Sequence, residues 1–193
     1  MIKKIFNFFK RYSFGFVKVS SRSPISNNAL GNDNEYISLI KSVENETYSF
    51  IDTFEKKCGF SIDKKWLNDA ALKTQISIKN SKPNYQHGRI LYSLLRKYLE
   101  KNKIINEQIT TMETGTAIGF SALCVAKAFE DANLTNYKIL TLDIIPSQIK
   151  IFWNKFGDEK GRRSREEILK DWDKLLNNIV FLSGDTKDIL QNL

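Results

Sequence analysis

Gln108-Ile-Thr-Thr-Met-Glu113-Thr-Gly115-Thr-Ala-Ile-Gly119-Phe-Ser121 is the stretch on which the fold turns. Its first five residues are β-prone. The residues after it, Ala122-Leu-Cys-Val-Ala-Lys-Ala-Phe129, form an apolar run of helix formers. The order is therefore strand, glycine turn, helix. Gly115 permits a tight turn and lets a ligand approach the backbone closely. Gly119 lets the helix start beside that ligand. The first helical turn leaves N–H groups without intrahelical partners, and Ser121 adds a donor, so the anionic group of a nucleotide-like cofactor fits there.

Working outward, Lys138-Ile-Leu-Thr-Leu142 reads as a second strand and ends in Asp143. Asp143 follows Gly119 at close to the ~20-residue spacing of a ribose-binding acid. A third strand, Ile179–Leu182, runs into Ser183-Gly184-Asp185-Thr186. Three strands alternating with helices predict an α/β fold with a parallel, doubly wound sheet. The glycine spacing is neither the dinucleotide pattern G-x-G-x-x-G nor the phosphate loop G-x-x-x-x-G-K-[ST].

The pattern that remains, E-x-G-x-x-x-G-F-S-A-L from Glu113, taken with Asp143 and Gly184-Asp185-Thr186, resembles the first motif of class I S-adenosylmethionine-dependent methyltransferases. The catechol and caffeoyl-CoA O-methyltransferase type is nearest, and the resemblance runs from about Pro83 to Leu193. It implies a Rossmann-like methyltransferase fold binding S-adenosyl-L-methionine, with O-methyl transfer to a small molecule or sugar. It places Glu113 beneath the methionine part of the cofactor, and Gly115, Thr116 and Gly119 in the turn that approaches it. Ser121 would lie near the cofactor carboxylate, Asp143 at the ribose, and Gly184, Asp185 and Thr186 beside the adenine. Gln86-His87-Gly88 matches the glycine-containing turn that precedes the helix before the first strand, which brings Gly88 into the set. No catalytic base is assigned.

Two departures from the family qualify these expectations. The stretch from Asp143 to Gly184 is longer than usual and is similar to bacterial methyltransferase domains associated with cell-surface polysaccharides. Its arginines Arg162, Arg163 and Arg165 read either as a grip on a phosphate or acidic sugar or, as the favoured reading, as a solvated loop. An amphipathic helix carrying Ile168, Leu169, Trp172, Leu175 and Leu176 would follow. Second, the motifs account for only the first half of the family fold, in strand order 3-2-1. The strand expected beside the first would follow Leu193, and so would the ligands of a divalent metal in the metal-dependent members. The chain alone is then expected to be weakly active or inactive. Its open strand edge would call for a second copy or a complementing chain.

Residues 35–103 read as a helical layer, and residues 104–193 as the partial Rossmann-like domain. Tyr36, Ile37, Ile40 and Val43 have helical spacing, as do Tyr48, Ile51 and Phe54, a run closed by Cys58-Gly59. Ser61 or Asp63 can cap a helix carrying Trp66, Leu67, Ala70 and Ala71. From His87, the positions Ile90, Leu91, Leu94, Leu95 and Tyr98 form an apolar stripe. His87 itself reads as a helix-start residue before a general base. Cys124, inside an apolar run, reads as a small buried hydrophobe.

The composition, 41% hydrophobic and 27% charged, is that of a globular chain and excludes a disordered or collagen-like one. The net charge of +8 is carried largely by Lys3, Lys4, Lys10, Arg11, Lys18 and Arg22, which precede any acid. The body is nearly neutral, which argues against sequence-specific nucleic-acid binding. Residues 1–34 read as a basic, aromatic tail, favoured as disordered or loosely docked, followed by a polar linker over Ser20–Asn34. Residues 1–19 could alternatively lie on an anionic membrane surface. Two separated cysteines and no zinc-ligand spacing point to the cytoplasm, with the inner membrane face as the peripheral alternative. The rival functions are a non-catalytic cofactor-binding half-domain or partner subunit, a nucleotide-dependent oxidoreductase, and a membrane-surface interaction protein acting through residues 1–19.

Overall fold

The computed structural model describes residues 26–104 and 107–191. The basic residues before position 26 lie outside the described residues, and with them both the expected loose tail and the alternative membrane contact of residues 1–19.

Asn32 opens the helical layer. Its side chain accepts from the Glu35 N–H, and the Glu35 carboxylate accepts from the Asn32 N–H. This reciprocal cap starts helix α1 (Asp33–Lys41), so the layer begins inside what the sequence presents as linker. Helix α2 (Ser49–Cys58) ends on Gly59, at φ 81°, and Asp63 caps α3 (Lys64–Thr74) by accepting from the Trp66 N–H.

Helix α4 (His87–Lys101) starts where expected but is rotated from its expected face. Leu94 and Tyr98 are exposed, while Gly88, Tyr92, Ser93 and Leu99 are buried. The neighbours explain the rotation. Helix α5 (Phe120–Asp131) packs along α4, and Gly88 sits so close to it that an added Cβ would lie 2.7 Å from the Cys124 Sγ. Arg89, one residue on, turns to α2, where it donates to Asp52 and Glu55.

Among the described residues one sheet forms, of three parallel strands: β1 (Ile109–Thr114), β2 (Tyr137–Asp143) and β3 (Ile179–Ser183), with β2 in the middle. The architecture is α/β. One face carries Ile139 and Ile179 into the same core as α5, with Phe181 packed against it. Alternate residues on the other face, Thr110, Met112, Thr114, Lys138 and Val180, are exposed. The single amphipathic helix expected before β3 is broken in three: α6 (Arg165–Leu169), a 3-10 turn (Lys170–Trp172) and α7 (Asp173–Leu176). Its apolar set still points inward, with Ile168, Leu169, Trp172 and Leu175 buried. Helix α8 (Thr186–Leu190) follows β3.

The long connection after β2, residues 144–164, is no solvated loop. Asn154 is buried with φ 56°, and its Oδ1 accepts from the Tyr36 hydroxyl and the Ile78 N–H while its Nδ2 donates to the Ile78 carbonyl. Asp33 accepts from the Gly157 N–H. The fully buried Asp158 accepts from the Lys155 N–H at 3.1 Å and from Arg163 at 3.2 Å. The connection is thus fastened to the helical layer through groups that sequence spacing does not pair. Among the described residues no helix is long and apolar enough to cross a membrane.

Candidate functional site

The site forms where the three parallel strands end together. Glu113 lies opposite Thr141 in the register, and Asp143 lies opposite Ser183. The Gly115 N–H donates to the Leu142 carbonyl at 2.7 Å, and the Gly184 N–H donates to the Asp143 carbonyl at 2.9 Å. Three segments far apart in sequence, 113–121, 141–143 and 183–186, are thereby brought to the carboxyl end of the sheet. Ligands of open parallel α/β sheets collect outside the carboxyl ends of the strands.

The turn between β1 and α5 has the backbone freedom that the sequence predicts. Gly115 has φ 78° and nothing within 4 Å of where a Cβ would stand, so the turn opens to solvent there. Gly119, at φ 112°, is the residue before α5 and has no side chain to cap it. The first N–H groups of α5 are therefore uncapped from the protein side. Ser121 is partly exposed on that first turn.

Glu113 is the end of a relay of hydroxyls. Thr141 donates to Glu113 Oε1 at 2.7 Å, and the buried Thr116 meets the Thr141 hydroxyl in turn. Because Thr141 has one proton and spends it on Glu113, Thr116 is the donor to Thr141. The turn residue Thr116 thus faces inward and fixes the carboxylate.

Asp143 differs from the sequence expectation. It is buried, and both oxygens are used inside the protein: Oδ2 accepts from the Ala117 N–H at 2.7 Å, and Oδ1 accepts from the Ile145 N–H at 2.8 Å. Its lone pairs are not exhausted, since each carboxylate oxygen can accept twice. Its first task is nonetheless to hold the turn. Asp185 caps α8 by accepting from the Lys187 N–H at 2.9 Å, and Thr186 is the first residue of that helix.

Gly88 acts at one remove. It is buried against Phe120 and Cys124, so it sets how closely α4 approaches the start of α5. Its neighbour His87 lies edge-on to the Phe120 ring, with centroids 5.1 Å apart. Partial burial of the ring pushes the imidazole below its usual range. The Cys124 thiol is fully buried, which raises its pKa and makes it unreactive.

The arginines correct the sequence reading most strongly. Arg165 is buried and bonded to Ala117, Ser147 and Ile145. Arg163 donates to Phe156 and Asp158. Arg162 is exposed and lies over the Phe152 ring at 5.5 Å. Arg163 and Arg165 are therefore committed to internal partners, which opposes both a shared grip on an anionic substrate and a solvated loop. The box Ser164-Arg-Glu-Glu167 signals a helix start in the sequence, and the structure realises it with both capping bonds. Nothing in that pattern announces that its second residue is buried under the turn. Thr141 is likewise absent from the sequence-derived site.

No protein-family model matches this chain, and no curated protein matches it significantly.

Proposed function

We propose that this chain is an S-adenosylmethionine-binding domain of a methyltransferase acting on an oxygen of a small molecule or sugar. The observation that carries the reading is the convergence of Glu113, the Gly115–Gly119 turn with the uncapped start of α5, Asp143, and Gly184-Asp185 at the carboxyl end of a parallel sheet. Open space at Gly115 supports the fit, because the backbone there is accessible to a ligand.

In this reading the turn N–H groups and Ser121 hold the cofactor carboxylate, and Glu113, fixed by Thr141, orients its amino group. Asp143 offers its remaining lone pairs to the ribose, and Asp185 with Thr186 borders the adenine. The bound cofactor supplies an electrophilic methyl group on a sulfonium centre. The chain's part is to hold the reactants in line, which is where most catalysis of such a displacement resides.

Titration calorimetry of the folded chain with S-adenosylhomocysteine, with NADH as the contrasting ligand, tests this. Saturable binding of the first and none of the second is expected. A folded chain that binds NADH in preference favours an oxidoreductase. One that binds neither has no working cofactor site of this class.

A further inference from the structure

We infer that Arg165 is a positioning residue of this site, clamping the glycine turn from the inside into the shape that meets a ligand. Its Nε donates to the Ala117 carbonyl at 2.7 Å, its Nη1 to the Ser147 hydroxyl at 3.0 Å and its Nη2 to the Ile145 carbonyl at 3.2 Å. The same Nη2 lies 3.9 Å from Asp143 Oδ1. The guanidinium plane is lined by Phe181 at 5.4 Å and Trp153 at 5.7 Å. A buried guanidinium is costly unless its donors are met, and its rigid fork then fixes its partners relative to one another.

The partner that matters is Ala117. It holds φ 49°, a left-handed conformation that an alanine keeps only where its surroundings over-determine it. Two side chains do so: Asp143 takes its N–H, and Arg165 gives to its carbonyl. Ala117 itself is exposed, so the turn is held from below while its outer surface stays open. Arg165 opens α6, and two of its partners, Ser147 and Ile145, belong to the long connection after β2, so that connection helps to hold the clamp. The ligand affinity expected below rests on the cofactor reading above; the clamp does not.

The test uses the full chain with R165M, R165K and S147A. Amide exchange is followed by mass spectrometry in peptides covering 114–120 and 122–131, alongside calorimetry with S-adenosylhomocysteine. In R165M, exchange of the turn should accelerate at least tenfold while α5 stays near wild type, and affinity should fall at least tenfold. R165K keeps the charge without the fork and should recover part of both. Wild-type exchange at the turn in folded R165M overturns the inference, as does a uniform acceleration along the chain. If R165M does not fold, R165K and S147A decide: each should speed the turn selectively, and wild-type rates in both overturn the clamp. Selective acceleration in a chain whose wild type binds no S-adenosylhomocysteine upholds the clamp and sinks the ligand reading alone.

Discussion

The Asp143 carboxylate and the Ala117 backbone meet in a 2.7 Å hydrogen bond that joins the end of the middle strand to the tip of the glycine turn. The second oxygen of the same carboxylate accepts from Ile145, so one side chain organises both the turn and the start of the long connection. A buried acceptor with two backbone donors cannot be removed cheaply, because each donor is left without a partner.

Asp143→Ala is therefore expected to destabilise the fold by about 3 kcal/mol, since two N–H groups lose their acceptor and the buried Arg165 loses the opposite charge 3.9 Å away. Asp143→Asn, which retains one acceptor oxygen, should lose about half as much. Urea unfolding of both variants checks the ranking. Equal losses would mean that a single one of the two bonds matters.

Gly115 and Gly88 should respond to alanine for different reasons. At Gly115 there is space but φ is 78°, so Gly115→Ala costs about 1 kcal/mol of backbone strain and places a methyl group where a ligand would approach. Gly88→Ala drives a methyl to 2.7 Å from the Cys124 Sγ and 2.9 Å from the Phe120 ring, so overpacking costs about 2 kcal/mol. Adding Cys124→Ala should relieve part of the second loss and none of the first. Thermal melts of the single and double variants separate the two.

Tyr36→Phe removes the hydroxyl that donates to Asn154 and should cost about 1 kcal/mol. Asn154→Ala removes that bond and both bonds to Ile78, and leaves an alanine at positive φ, so roughly 3 kcal/mol is expected. The double variant should fall short of the sum, because the two changes share one bond. Strict additivity in urea unfolding would contradict the pinning of the connection to α1.

Lys155 should make stability rise with pH near neutrality. Burial first, then Lys79 nearby, push its ammonium down to about 7, against the opposing pull of Asp158. Its amine donates to the Gln75 carbonyl and the Ser77 hydroxyl. Below that pH the folded and unfolded chains are both protonated, and the full penalty of a buried charge applies. Above it the folded chain gives up the proton while the unfolded chain keeps it, so stability climbs until the unfolded lysine titrates. The slope is at most about 1.4 kcal/mol per pH unit. The usable window is about pH 7 to 7.5, because unfolded cysteine, with a pKa of about 8.5, begins to titrate above it and pulls the slope the other way. Lys155→Met should flatten the urea-derived slope there; an unchanged slope would assign it to other groups.

Much of the frame was legible in the amino-acid order. Glu113, Gly115, Gly119 and Asp143 predict a strand, a turn, a helix start and a strand end, and each stands in that place because glycine conformational freedom and strand-end chemistry are local properties. The stop at Gly59 was legible for the same reason, and the next cap was narrowed to Ser61 or Asp63, of which Asp63 serves. The face of α4 was not, because Leu94 and Tyr98 have the same helical spacing as a buried pair, and only the approach of Gly88 to Cys124 decides which side turns inward.

Propensity, periodicity and glycine suffice to specify an alternation of strands and helices and the position of the turn. Packing between distant segments is what puts Asp143 under that turn, takes Arg165 out of solvent to hold Ala117, and makes Asn154 fasten the long connection to Tyr36. Those partners lie 26, 48 and 118 residues apart. Local rules act over a few residues. The partner of a buried polar group depends on which distant segments packing brings within hydrogen-bond reach.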